Sequence, residues 1–299
     1  PETFTENAAM EAVIEAELPN GVFISRPFEF TIQAEYFPES SFHLKDYGFA
    51  MSYLLNNVED FYSAGKPCIV VNDISSGTWG KIKVYEFDSS DFYLRDSFNQ
   101  TWIPKAIGES NGDGLNEIFA TAGHECALFQ PNEKGASPLS KLQINDTLSL
   151  NFWAESMVDL NKDGKDELIA YSDTLFVAYK YQKGKYSLLA LADPGVNLGT
   201  YPGFASADFD NDGDIEICFG NRHGNIFIYG FSNGNFIQEY VDTSTFSSSE
   251  QYMASADIDG DKIPEIIIGN FGSSVSFGYE DASDPLWTYR IFKASSPNK

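Results

Sequence analysis

Four nine-residue segments set oxygen-bearing side chains at one fixed spacing. They are Glu109–Glu117 (ESNGDGLNE), Asp159–Glu167 (DLNKDGKDE), Asp208–Glu216 (DFDNDGDIE) and Asp257–Glu265 (DIDGDKIPE). Counted from the first acid of each, these side chains fall at positions 1, 3, 5 and 9. In the third segment they are Asp208, Asp210, Asp212 and Glu216. Alternate residues of a tightly curled loop point inward, so positions 1, 3 and 5 can converge on one point. A backbone carbonyl at position 7, here Asp214, and the acid at position 9 would close the shell. A hard cation taking six to eight oxygens at about 2.3–2.6 Å suits that set, which means Ca²⁺ rather than Mg²⁺. Without His or Cys ligands no softer metal is expected. An EF-hand opens in the same way but needs an acid at position 12 and flanking helices. Position 12 here is Phe219, inside an apolar run, so that reading is rejected. Good hairpin turns alone would explain one loop rich in Asp, Asn and Gly, but not four with matching offsets.

The four loops are not equivalent. The third is expected to bind most strongly, with Gly213 at position 6 where a sharp turn favours positive φ. The second offers Asp159, Asn161, Asp163, the Lys165 carbonyl and Glu167, one charge fewer. The fourth offers Asp257, Asp259, Asp261, the Ile263 carbonyl and Glu265, but Lys262 stands at position 6 and Gly260 at position 4. Either that site is weaker or its turn differs, since a left-handed non-glycine residue costs about 1–2 kcal/mol. The first offers Glu109, Asn111, Asp113, the Leu115 carbonyl and Glu117. Up to four Ca²⁺ ions are therefore expected, led by the site at residues 208–216.

The loop starts lie 50, 49 and 49 residues apart. A further step back reaches Asp60 (DFYSAGKPC), which keeps the opening acid but not the interior ones and should hold no ion. One more step reaches the region before VFIS, where only a strand pattern survives. Around each loop the sequence reads as four short alternating strands bounded by Gly, Asn, Asp and Ser, with no helical periodicity. A four-stranded sheet repeated every 40 to 50 residues is the signature of a β-propeller blade. The chain is thus expected to be all-β, one propeller domain over residues 1–299. Its length gives about six blades, roughly 8–48, 49–98, 99–148, 149–198, 199–246 and 247–295. Seven would need a longer chain, and a solenoid would need capping repeats.

With small-residue strands before them (FASAD, MASAD) and strands ending in Gly-Asn after them, these loops resemble FG-GAP/VCBS repeats. Those repeats form the calcium-binding blades of the integrin α-subunit propeller and of many secreted bacterial proteins. The literal FG and GAP strings are poorly kept, so the bacterial branch fits better. The resemblance implies ions in the hairpins between the first and second strands of a blade, with partners on the opposite face. Residues assigned to that opposite face are Trp102, Trp153, Tyr201 and Tyr252, which precede the loops, and His124, Arg222 and His223. A ring of aromatics could stack on sugars or grip a peptide, or simply wedge between blades.

The composition excludes other classes. With 44 acidic and 19 basic residues the net charge is −25, so nucleic acid and anionic membrane surfaces are disfavoured. No apolar run approaches the ~20 residues of a membrane helix, so direct insertion is not expected. Cys68, Cys126 and Cys218 lie singly in strand-like runs and read as buried free thiols. Beginning at Pro1 without a charged-then-apolar segment, the sequence reads as a mature or trimmed form. No nucleophile elbow, zinc motif or phosphate loop is present, and acids locked on a cation are poor proton carriers. The expected role is an extracellular, cell-surface or periplasmic module that binds a protein or glycan, with calcium mainly structural. Export fits because such sites fill where calcium is near millimolar. A calcium-dependent carbohydrate-active enzyme and an architectural subunit of a surface complex are the alternatives.

Overall fold

The computed structural model describes residues 9–17, 23–31, 50–51, 58–73, 80–87, 92–123, 125–131, 135–140, 142, 153–172, 174–198, 203–221, 225–242, 251–271 and 287–293. Every regular element among them is a strand, as the period-two patterning requires. Among these residues no helix is long and apolar enough to cross a membrane. The chain divides into two compact units, Pro1–Gly48 with Asp88–Asp91, and Phe49–Phe87 with Phe92–Lys299. In the first, β1 (Ala9–Glu17) and β2 (Phe23–Thr31) form a two-stranded antiparallel ribbon.

The second unit holds five antiparallel sheets among its described residues. The first sheet has β3 (Ala50–Met51), β4 (Val58–Glu59), β5 (Cys68–Asp73), β6 (Lys81–Phe87) and β7 (Phe92–Thr101). The second has β8 (Ile103–Gly108), β9 (Glu117–Ala122), β10 (Glu125–Phe129) and β11 (Ser137–Leu139). The third has β12 (Trp153–Val158), β13 (Glu167–Tyr171), β14 (Phe176–Gln182) and β15 (Lys185–Ala192). The fourth has β16 (Phe204–Ala207), β17 (Glu216–Gly220), β18 (Ile226–Ser232) and β19 (Asn235–Asp242). The fifth has β20 (Gln251–Ala256), β21 (Glu265–Phe271) and β22 (Trp287–Phe292). Strands pair in chain order, so each full sheet is a four-stranded meander.

Successive sheets share their apolar faces, which is the β-propeller arrangement. One core joins Val70, Ile82 and Phe98 of the first sheet to Ile118, Ala127 and Phe129 of the second. Others join the second to the third, through Phe119, Leu168 and Tyr179, and the third to the fourth, through Phe176, Ile217 and Phe219. Cys218, Ile226, Met253 and Ile268 join the fourth to the fifth. Second strands are covered on both faces, so β13 and β17 are buried at every residue and read as unbroken apolar runs. The outer strand β19 is exposed along most of its length. All three cysteines are free and buried, each inside one of these cores.

Among the described residues five blades stand where six were expected. The count of six came from dividing length by period, which assigned a blade to residues 8–48. That stretch carries strand patterning but neither the small-residue first strand nor the acidic loop that builds a blade. Its described part is a nine-pair ribbon in a separate unit.

Candidate metal centre

Each acidic loop joins the first strand of a blade to the second: β8 to β9, β12 to β13, β16 to β17 and β20 to β21. Five loops, the Asp60 loop included, share one backbone trace. Positions 4 and 6 are both left-handed, at Ser63 and Gly65, Gly112 and Gly114, Lys162 and Gly164, Asn211 and Gly213, and Gly260 and Lys262. The fourth loop therefore keeps the turn, and Lys262 adopts the costly φ of 74° itself. Position 4 carries no sequence signal of its own, because Asn and Gly tolerate that region and Ser and Lys do not advertise it.

The opening acid holds this trace together. Asp208 Oδ1 accepts from Asp212 N at 3.1 Å and Oδ2 from Gly213 N at 2.9 Å. Asp159 does the same toward Asp163 and Gly164, and Asp60 toward Ala64 and Gly65. Glu109 instead reaches the position-4 amide of Gly112, while Asp257 accepts from both Gly260 at position 4 and Lys262 at position 6. The closing glutamate is buried and caps the amide at position 2: Glu117 on Ser110, Glu167 on Leu160, Glu216 on Phe209 and Glu265 on Ile258.

Three loops draw three carboxylates together. Glu109, Asp113 and Glu117 offer oxygens within 4.8 Å of one another, as do Asp208, Asp210 and Glu216, and Asp257, Asp259 and Glu265. Oxygens bound to one Ca²⁺ at about 2.3–2.6 Å lie no more than about 5 Å apart, so these sets are of the right size. Asp159, Asp163 and Glu167 do not converge to that degree.

What separates the loops is the contact between positions 3 and 9. In the first two loops an amide solves it: Asn111 Nδ2 donates to Glu117 Oε1 at 2.5 Å and Asn161 Nδ2 to Glu167 Oε1 at 2.6 Å. In the third loop Asp210 cannot donate, and two carboxylates face each other. Burial, opposed by the Phe209 amide but reinforced by Glu239, Asp210 and Asp212, pushes Glu216 up to about 8. Desolvation pushes the carboxyl of buried Glu167 up to about 7 and that of half-buried Asp166 up to about 6. Glu239, from β19, is an acid that the loop spacing misses. It fills the space above Gly230, where an added methyl would collide with its carboxylate. The donor set of the third loop therefore fits a divalent cation.

Contacts link the loops in series from Asp60 to Asp208. Asn116 Nδ2 donates to the Asp60 carbonyl at 3.2 Å and Ser63 Oγ to the Gly114 carbonyl at 2.8 Å. Glu109 N donates to Asp166 Oδ2 at 2.8 Å, and Asp166 N returns to the Glu109 carbonyl at 2.6 Å. Lys165 Nζ reaches the Asn111 carbonyl at 3.0 Å, and Lys162 pairs with Asp214 of the next blade. Polar residues at position 8, Asn116 and Asp166, thus carry inter-blade links that the metal spacing gave no reason to notice.

With that geometry established, residues 159–219 and 208–268 match the model of the FG-GAP-like repeat. Residues 159–268 carry FG-GAP-like repeats. The matched span runs from the loop after β12 through β13–β15, the whole fourth sheet, β20 and the first part of β21. No curated protein matches the chain. Among solved structures, the chain is similar to BBS1N in a complex with ARL6DN soaked with lead. That match has 11% identity and a TM-score of 0.47, covering 76% of this chain and 67% of that one. A second BBS1N–ARL6DN structure, soaked with mercury, gives 10% identity and a TM-score of 0.42, covering 82% and 84%. So remote a likeness carries neither ligand nor partner across.

Of the residues assigned to the opposite face, Trp102 is half-buried against the core between the first two sheets. Its ring meets Phe129 edge-on at 6.2 Å, the wedge arrangement. Trp153 and Tyr252 lie on β12 and β20. Tyr201, His124, Arg222 and His223 lie outside the described residues.

Proposed function

We propose that this chain is a calcium-stabilised β-propeller that serves as a protein- or glycan-binding module in an extracellular, cell-surface or periplasmic setting. One observation carries the calcium part of this reading. Asp210 and Glu216 face each other in the Asp208 loop, and among the described residues no side-chain donor reaches between them. Asp208, Asp210, Asp212, the Asp214 carbonyl and Glu216 would hold the ion. Its contribution would be to neutralise charge and fix the hairpin. The Glu109 and Asp159 loops, where an amide already meets the closing glutamate, would bind more weakly. Ligand binding would fall to the face opposite the loops, with calcium in a supporting role.

Calorimetric titration with Ca²⁺ and thermal unfolding with and without EDTA test the reading. Asp212→Ala is expected to lose one ion and Asp60→Ala none. An ion present at a hundredfold excess over its Kd should add about 2.7 kcal/mol per site. A melting curve indifferent to EDTA would sink the structural role. Glycan arrays and protein capture, each run with and without calcium, then address the ligand.

A further inference from the structure

The Asp257 loop has the same acids at positions 1, 3, 5 and 9 as the Asp208 loop, yet another side chain fills its centre. Lys293 follows β22, where Ile266 pairs with Phe292, so residue 293 lies opposite the closing Glu265. Its Nζ sits 2.6 Å from Asp259 Oδ2, 2.6 Å from Asp261 Oδ2 and 2.8 Å from Glu265 Oε1. An ammonium has three donors and no acceptor, and three carboxylates lie within ion-pair distance of this one. A Ca²⁺ ion would need the same oxygens, so the two cations exclude each other. The donor set of this loop therefore does not fit a metal ion while Lys293 is in place.

The residue opposite position 9 varies between blades, with lysine in the third and the fifth. The register puts Glu86 against Cys68 in the first sheet, Gln130 against Glu117 in the second and Lys180 against Glu167 in the third. Gly230 stands against Glu216 in the fourth. Gln130 reaches its glutamate only at 3.5 Å, and Gly230 offers nothing. Lys293 has both the charge and the reach, and Glu265 is almost fully buried beneath it.

We propose that Lys293 is a tethered cation that closes the Asp257 loop in place of a metal ion, so that this loop takes no Ca²⁺ while the Asp208 loop does. The proposal rests on the calcium reading of the Asp208 loop but is separable from it. Calcium stoichiometry of the full chain, by calorimetry with Ca²⁺, is the first measurement. Wild type and Asp259→Asn are expected to bind equal numbers of ions, and Lys293→Met one more. Lys293→Arg should keep the wild-type count, and Lys293→Met with Asp259→Asn should return to it. Loss of an ion in Asp259→Asn alone, or no gain in Lys293→Met, overturns the proposal. If wild type binds no calcium, the calcium reading fails, and the Lys293 contact is then judged in EDTA. There Lys293→Met is expected to lower the melting temperature in the wild-type background but not beside Glu265→Gln. Equal losses in both backgrounds overturn it.

Discussion

The contact between positions 3 and 9 is met in three ways along one chain: by an asparagine amide, by a lysine ammonium and, at Asp210 and Glu216, by no donor. Two carboxylates that face each other repel once both are charged, so above pH 8 the third loop should gain most from a single amide. Asp210→Asn is expected to stabilise the calcium-free protein by about 1.5–3 kcal/mol in urea unfolding with EDTA above pH 8, in the range of a hydrogen bond to a charged group. The same substitution should weaken calcium binding, and a loss of stability in EDTA would contradict the argument. A different solution stands beside the Asp60 loop. There Glu86 accepts from Tyr93 at 2.6 Å and pairs with Lys66 at 3.2 Å and with Arg95, which lies over the Tyr62 ring. The Tyr93 hydroxyl first, and then Arg95 and Lys66, overcome burial and hold the Glu86 carboxyl down to about 2. A depressed acid contributes stability that is fully present above its unfolded value and is lost as pH falls toward the folded one. The gap in melting temperature between wild type and Glu86→Gln should therefore be widest near neutrality. It should close as pH falls from about 4.5 toward 2.

At the level of the loop and its two strands, the backbone makes the stronger demand. Gly213 has a φ of 90°, and a methyl placed there meets nothing nearer than Lys162 Nζ at 3.9 Å. The cost of Gly213→Ala is thus conformational rather than steric. It is expected to be about 1–2 kcal/mol in urea unfolding, with or without calcium. A loss seen only with calcium would mean that the ion, not the turn, requires the glycine. These elements show where the sequence was legible. The loop spacing located five hairpins to the residue, because each opens with an acid that caps its own turn. The alternating runs gave the strands, and the apolar second strands gave the buried layer. Blade number was misread because a period measures repeats only where a repeat has its parts. Lys293 escaped because its role depends on strand register 28 residues beyond Glu265. Glu239 escaped because it enters from the outer strand of its blade.

Across the molecule, the four loops hold sixteen of the 44 acidic residues in 36 positions. Each of these loops joins the first strand of its blade to the second, and hydrogen bonds or ion pairs link neighbouring loops from Asp60 to Asp208. Self-repulsion is concentrated there, and counter-ions of any kind should relieve it. In EDTA the melting temperature is expected to rise as NaCl goes from about 0.05 to about 0.5 M, since added salt shortens the Debye length and screens the repulsion. With calcium in excess the rise should be smaller, and equal slopes would argue that the ions do not sit in these loops. The Asp60 loop, finally, closes the same turn with Tyr62, Ala64 and Cys68 where its neighbours carry acids or asparagine. The turn is thus a product of backbone capping and exists before any ion arrives. Calcium would enter a finished socket, so its uptake should be fast and its release should leave the blades folded.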